Sequence, residues 1–418
     1  MEELIIQNEW WERGEINKQK AKPYRRKIFK KIKEIFFNYR QILILTGLRR
    51  VGKTTIVYQL IEELLKRGVA PENILYFSFD KKIEEPIEIL KLYQKITKIN
   101  WKKEKVYLFL DEIQKLEEWS SKIKLLYDTL PNLKICITGS AGLMLEDQAI
   151  RDLGGRYFKI ELKPLTLQEY AELYYEKKID NFELHRLDLE AIFDEYIRKP
   201  FPEIVKIDDL EMIHEYINSI VVEKILGSDI PTVFKKVNIN LLKTLCEIFF
   251  RNPGMTLNIE EMSKKLHVHK LTLKEHIYYL EYGKLIRVVK NFRPSIMAES
   301  RKLPKVYPFH PCFCFIYFAQ AEKGKIYENL VMHAWNLANY FKSGKYEIDF
   351  LKRNRKIVPI EVKAKKEITK KEIKNLLWFM EKFKVEKGVI IFEGKEGEIK
   401  LNKLKVEKIP LIKLLFKF

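Results

Sequence analysis

Residues Gly47-Leu48-Arg49-Arg50-Val51-Gly52-Lys53-Thr54 form a G-x-x-x-x-G-K-T run, and they carry the flanks such a run needs. The apolar residues Ile42-Leu43-Ile44-Leu45 lead into the first glycine, and a helix-like stretch from Thr55 to Arg67 follows. Strand, glycine loop and helix in that order confine this part of the chain to an α/β unit whose loop wraps a phosphate. The glycines let backbone N–H groups turn inward, and the helix N-terminus adds a favourable dipole. Gly47 through Thr55 are the expected nucleotide contacts. Lys53 would reach the outer phosphates and Thr54 would hold Mg²⁺ through its hydroxyl.

Further strand-like runs alternate with helices at Asn73–Asp80, Val106–Asp111 and Leu133–Ser140. Their nearly continuous apolar character predicts parallel strands covered on both faces, hence a doubly wound sheet. Val106-Tyr107-Leu108-Phe109-Leu110-Asp111-Glu112 places two carboxylates at the C-terminal end of a buried strand, where ligands bind in such sheets. Asp111 is predicted to support Mg²⁺ as a Walker-B aspartate does, and Glu112 to polarise the attacking water. Ser140, after the next strand, is a candidate γ-phosphate sensor. Arg156 enters a short strand, Tyr157–Leu162. It is a candidate for stabilising phosphoryl charge from its own chain or from a neighbour in a homo-oligomer, against a surface arginine beside a glycine turn.

These residues resemble the AAA+-like ATPases of archaea and bacteria, over residues 20–230. The quoted features are Tyr76-Phe77-Ser78-Phe79-Asp80, Asp111-Glu112-Ile113-Gln114 with Trp119, Thr138-Gly139-Ser140, Gly155-Arg156 and Pro164-Leu165-Thr166-Leu167-Gln168-Glu169. The resemblance implies a helical lid through Glu169–Tyr196 and an N-terminal segment, Lys22–Arg26, near the adenine. Members usually carry two glycines before the Phe-Pro of the lid. Here Arg198-Lys199-Pro200-Phe201-Pro202 replaces them, and no role is transferred to that turn.

With 418 residues the chain has room for roughly two to four domains. Charged residues make up 33%, mostly Lys and Glu. A heat-adapted source and a low-GC genome both produce that bias. The formal net charge of +20 favours polyanions: nucleic acid or an acidic membrane face. No apolar stretch approaches a membrane span and no secretory signal opens the chain, so the expectation is a cytoplasmic protein. Cys136, Cys246, Cys312 and Cys314 are too scattered for a disulfide framework. Cys312-Phe313-Cys314 lacks the second pair that a zinc site requires.

Leu241–Phe250, Asn258–Leu266 and Leu271–Tyr282 read as three helices, and Leu285–Val289 as a strand. That is winged helix-turn-helix order. Lys270, Thr272, Lys274 and His276 would face a groove, with Lys290 and Arg293 in the wing. A protein-packing module is the rival reading.

Past Ile326 the chemistry changes. Asp349 and Glu361-Val362-Lys363 lie on two apolar strands joined by a basic turn. Residues two apart in a strand share a face, so Glu361 and Lys363 point the same way, beside Asp349. Two acids can hold Mg²⁺, and a lysine can orient water or neutralise a phosphate. The plain alternative is a Lys-rich hairpin whose acids balance its bases. This constellation resembles the PD-(D/E)XK nucleases over residues 300–400, with Glu328 as the helix acid, and the domain of unknown function often fused behind such ATPases. In that family Asp-Pro-Gly follows a segment like Pro304-Lys305-Val306-Tyr307; here His310-Pro311-Cys312 stands instead.

The expected organisation is a P-loop core at 1–165, a helical lid at 166–235, a winged helix-turn-helix at 236–300 and a restriction-endonuclease-like α/β domain at 301–418. Two functions fit. One is a Mg²⁺-dependent ATPase acting on double-stranded DNA, with Lys363 catalytic and Glu328, Asp349 and Glu361 on a metal. The other is a nucleotide-controlled switch that binds DNA or protein without cleavage.

Overall fold

The computed structural model describes residues 1–80, 85–139, 151–300, 302–317, 322–353, 356–401 and 403–417. It divides into two compact units. The first is 1–164 plus 228–235; the second is 165–227 plus 236–418.

In the first unit, strands β1 (Ile42–Gly47), β2 (Ile74–Ser78), β3 (Val106–Asp111), β4 (Leu133–Gly139) and β5 (Tyr157–Leu162) form one sheet in the order β2-β3-β4-β1-β5. Every pairing is parallel. The apolar runs are buried on both faces because helices cover both, and β1 and β4 are buried at every position. This is an α/β unit with the sheet of a P-loop nucleotide hydrolase. Parallel pairing puts the ends of β1, β3 and β4 on one edge, where Gly47, Asp111 and Gly139 lie together.

The second unit carries a nine-stranded sheet among its described residues, in the order β13-β14-β12-β11-β10-β9-β7-β8-β6. These are β6 (Met255–Thr256), β7 (Ile286–Asn291), β8 (Lys305–Pro308), β9 (Asn339–Ser343), β10 (Tyr346–Arg353), β11 (Ile357–Val362), β12 (Lys387–Phe392), β13 (Gly397–Leu401) and β14 (Leu404–Pro410). β9, β10 and β11 are antiparallel neighbours, and β11, β12 and β14 run parallel. Helix Lys374–Lys382 makes the crossover from β11 to β12.

Two expected boundaries shift. Residues 165–227 belong to the second compact unit, and 228–235 to the first. Tyr170, Leu189, Phe193 and Tyr196 share a core with Tyr327, Leu330, Leu411 and Phe416. Thr166 and Glu169, part of the resemblance, form a capping box: the Thr166 hydroxyl accepts from the Glu169 N–H at 3.2 Å, and the Glu169 carboxylate accepts from the Thr166 N–H at 3.1 Å. The motif therefore fixes a helix start.

The three-helix module also exists, with helices Ile239–Arg251, Ile259–Lys265 and Lys270–Tyr282. Its second wing strand is β8, antiparallel to β7, so the wing runs past residue 300. β7 then pairs with β9, which joins the wing to the C-terminal sheet. Among the residues expected to face a groove, Lys270 and Lys274 are exposed. His276 is buried: its Nδ1–H donates to the Thr272 carbonyl at 2.7 Å, leaving Nε2 to accept the Asn238 N–H at 2.8 Å. Asn238 caps the first helix of the module, so His276 ties that helix to the third. Helical periodicity placed His276 outside because it weighs only apolar positions. Arg293 donates to the Phe292 and Lys342 carbonyls, which anchors it locally.

Candidate functional site

The glycine loop closes β1 and turns into helix Lys53–Lys66, whose N-cap is Gly52 at φ +96°. A Cβ on Gly47 would lie 2.4 Å from the Leu162 carbonyl of β5. That backbone approach, more than turn geometry, makes glycine necessary here. Gly47→Ala should cost about 1–3 kcal/mol in thermal unfolding. An unchanged melting temperature would show that β5 can retreat freely. Arg26 holds the other side of the loop, donating to the Val51 carbonyl at 3.1 Å and to the Lys163 carbonyl at 3.0 Å.

Lys53 is buried, and its ammonium donates to the Gly47 and Leu48 carbonyls at 3.2 and 3.1 Å. Burial lowers its pKa, while Glu112 and Asp111 oppose that shift. Thr54 Oγ1 donates to Asp111 Oδ2 at 2.8 Å, joining the phosphate loop to the end of β3. Asp111 also accepts from the Tyr76 hydroxyl at 2.9 Å, from the Thr138 hydroxyl, and from the Glu112 N–H at 3.2 Å. Glu112 adopts φ +55°, and its carboxylate accepts from Gln114 at 2.5 Å. Burial raises the Glu112 pKa, and Lys53 partly offsets it, as suits a base that must take a proton.

Tyr76 and Thr138 escaped the sequence reading because both lie within strands that read as core. Their signal is position: each lies on a strand flanking β3 and turns its hydroxyl to Asp111. Asp229 was missed too. Its carboxylate pairs bidentately with Arg49 of the loop, at 2.7 and 3.1 Å, from 180 residues downstream.

Three further expected positions are placed as follows. Ser140 lies outside the described residues. Arg156 sits at the start of β5, where its carbonyl accepts from the Ile42 N–H and its guanidinium pairs with Asp128 at 2.7 Å. Because β5 runs parallel to β1, Arg156 is at the opposite sheet edge from Gly47, roughly 17 Å away at strand rise. It cannot act on a nucleotide in its own chain. The Lys22–Arg26 segment lies along helix Lys53–Lys66: Gln59 donates to the Lys22 and Tyr24 carbonyls, and Arg25 pairs with Glu62.

A second cluster occupies the second unit. Asp349 sits in β10 where its register against β9 shifts between Ile348 and Leu351. Its Oδ2 accepts from the Val362 N–H at 2.9 Å and lies 3.4 Å from Lys363 Nζ. Lys363 Nζ also donates to Glu361 Oε2 at 2.5 Å. Glu361 Oε1 is buried without a hydrogen-bond partner among the described residues. Burial, then the Asp349 charge, pushes the Glu361 pKa well up. Burial alone would lower Lys363, but the two acids outweigh it and hold its pKa high.

Glu328 is not brought into this group as a third ligand. It accepts from the Tyr307 hydroxyl at 2.8 Å and from Lys325 at 2.8 Å. Among the described residues no set of three His, Cys, Asp or Glu side chains is placed to hold a metal ion. The partners of Glu328 come from β8 and its own helix, and burial, then the Asp349 charge, raises its pKa. His310, which stands where the resembling family has aspartate, accepts the Cys312 N–H at 3.1 Å and so performs a capping task an aspartate could also perform. Its burial and the neighbouring His333 lower its pKa well, keeping it neutral.

The AAA domain model matches residues 39–171. Match and geometry together support a P-loop ATPase of the AAA type. Two further models match behind this AAA-type segment, both domains of unknown function: DUF8612 over 189–310 and DUF4143 over 323–412. Two relatives are uncharacterized proteins of Methanocaldococcus jannaschii. One is 28% identical over 89% of this chain and 84% of its own length; the other is 28% identical over 64% and 60%. An uncharacterized protein of Haemophilus influenzae is 29% identical over 56% of this chain and 57% of its own. Among solved structures, the Aeropyrum pernix ORC1 protein in complex with DNA aligns at TM-score 0.36 and 11% identity, over 71% of this chain and 94% of that one. A Pyrococcus horikoshii signal transduction ATPase with numerous domains aligns at TM-score 0.28 and 13% identity, over 73% and 44%. Neither score is high enough to bear on fold or function. No helix among the described residues is long and apolar enough to cross a membrane.

Proposed function

We propose that the protein is a Mg²⁺-dependent ATPase that acts on double-stranded DNA in the cytoplasm. The observation that carries the ATPase half is the 2.8 Å hydrogen bond between Thr54 and Asp111, which sets a loop hydroxyl and a strand-end carboxylate side by side at a helix N-terminus. Those two residues fit Mg²⁺, Thr54 directly and Asp111 through its water shell. The ion would neutralise phosphate charge. Lys53 would leave the loop carbonyls to bind the outer phosphates, and Glu112 would take the proton of the attacking water. Gly47 through Thr55 would line the phosphates. Arg156 could serve only a neighbouring copy.

The DNA half rests on the net charge of +20, on exposed Lys264, Lys265, Lys270 and Lys274 around the third helix of the three-helix module, and on the Asp349–Glu361–Lys363 group. The topology around that group, three antiparallel strands followed by a helix and a parallel strand, supports a nuclease-like reading. Glu361 with its free buried oxygen and Asp349 fit one Mg²⁺, which needs only one or two carboxylates.

A second reading, binding without cleavage, is favoured by one observation: Glu328 is committed to Tyr307 and Lys325. ATP turnover and plasmid integrity, measured with and without Mg²⁺ and DNA, separate the two. Turnover should rise several-fold with DNA in both. Nicking marks the first reading and intact plasmid the second. Turnover indifferent to DNA would remove DNA from both.

A further inference from the structure

Asp229 belongs to a segment, 228–235, that rejoins the first unit after the chain has built 165–227. This short return touches the nucleotide site twice. Asp229 grips Arg49, the third residue of the phosphate loop, along one guanidinium edge, from Nη2 at 2.7 Å and Nε at 3.1 Å. Helix Ile230–Val233, with Ile230 fully buried, packs on the turn Ile113–Lys115 directly after Glu112. The Asp229 side chain is 6% exposed, and Arg49 is the cation it is paired with there. The pair therefore sits on the phosphate loop itself and against the turn after Glu112, next to where the nucleotide-site reading puts the outer phosphates.

We propose that Arg49 and Asp229 form a latch that distinguishes triphosphate from diphosphate. A guanidinium binds a carboxylate and a phosphate in the same two-pronged way, so a terminal phosphate is a direct competitor for Arg49. Once Arg49 turns to that phosphate, Asp229 is left as a buried carboxylate without its cation and next to new negative charge. Both effects expel it, and 228–235 detaches from the loop and the Glu112 turn. A diphosphate, lacking the competing group, leaves the latch shut. The idea rests on the nucleotide-site reading above and adds to it the part of the chain that reports which nucleotide is bound.

The test is amide hydrogen exchange on the full chain with Mg²⁺ and either adenylyl imidodiphosphate or ADP, binding of each being measured separately by calorimetry. The imidodiphosphate should speed exchange across 228–235 by about tenfold, a local opening, while ADP leaves it unchanged. Asp229→Asn should show the fast exchange without nucleotide and no further increase with it. Arg49→Lys, which keeps the charge but loses the fork, should behave likewise if Asp229→Asn fails to fold. Equal exchange in 228–235 with both nucleotides bound would overturn the latch and leave the nucleotide site standing. No binding of either nucleotide would overturn the site and the latch together.

Discussion

Lys53→Ala is expected to weaken binding of a slowly hydrolysed ATP analogue by at least about 30-fold, since losing one partner of a buried charged contact costs about 2–5 kcal/mol. The structure explains why the loss would be specific. Lys53 is buried at the N-terminus of the helix that follows the loop, and its ammonium already rests on loop carbonyls at 3.1 and 3.2 Å. Burial lowers its pKa, so the fold alone gains little from its charge. Phosphate would supply the countercharge that burial withholds. Removing the side chain should therefore change the melting temperature only slightly while removing affinity. Calorimetry and a melting curve on the same sample decide the matter. Unchanged affinity would refute the nucleotide site, and a collapse of the fold would make Lys53 a structural residue.

Glu361→Gln should raise stability at neutral pH and abolish any Mg²⁺-dependent DNA cleavage. Burial and Asp349 raise the Glu361 pKa, so the folded protein holds this proton more tightly than the unfolded chain does. Stability from this group is then present at acid pH and is lost as pH rises from the ordinary carboxylate range through the raised value. Glutamine carries no such dependence. The variant's advantage should be near zero at about pH 4 and grow with pH, to on the order of 1 kcal/mol at neutrality. Mg²⁺ should narrow the gap by stabilising the parent alone. Parallel melting curves across pH, with no difference in slope, would mean that Glu361 ionises freely and that its unpartnered oxygen is no cation site.

The P-loop and the β3 acids were readable because their chemistry is local: loop, helix and strand end are contiguous in sequence. Asp229 was unreadable because nothing near Ser228-Asp229-Ile230 speaks of phosphate; only the chain's return to the first unit gives it meaning. Arg156 illustrates a different failure. Its strand was identified, but a residue that opens a parallel strand lies at the edge away from the ligand, and that rule applied to Tyr157–Leu162 would have moved it. The Asp349–Glu361–Lys363 grouping follows from strand alternation, which holds over two residues. Glu328 did not follow, because Tyr307, arriving from the wing, captures its carboxylate.

The interrupted path of the first unit also sets a schedule for its birth. On a ribosome, residues 1–164 emerge first, yet Asp229 and Ile230 complete the walls of their loop. At ordinary elongation speeds that means a wait of roughly 3–13 s. During that interval Arg49 lacks its carboxylate partner, and the cationic loop stands without the wall that Asp229 later supplies.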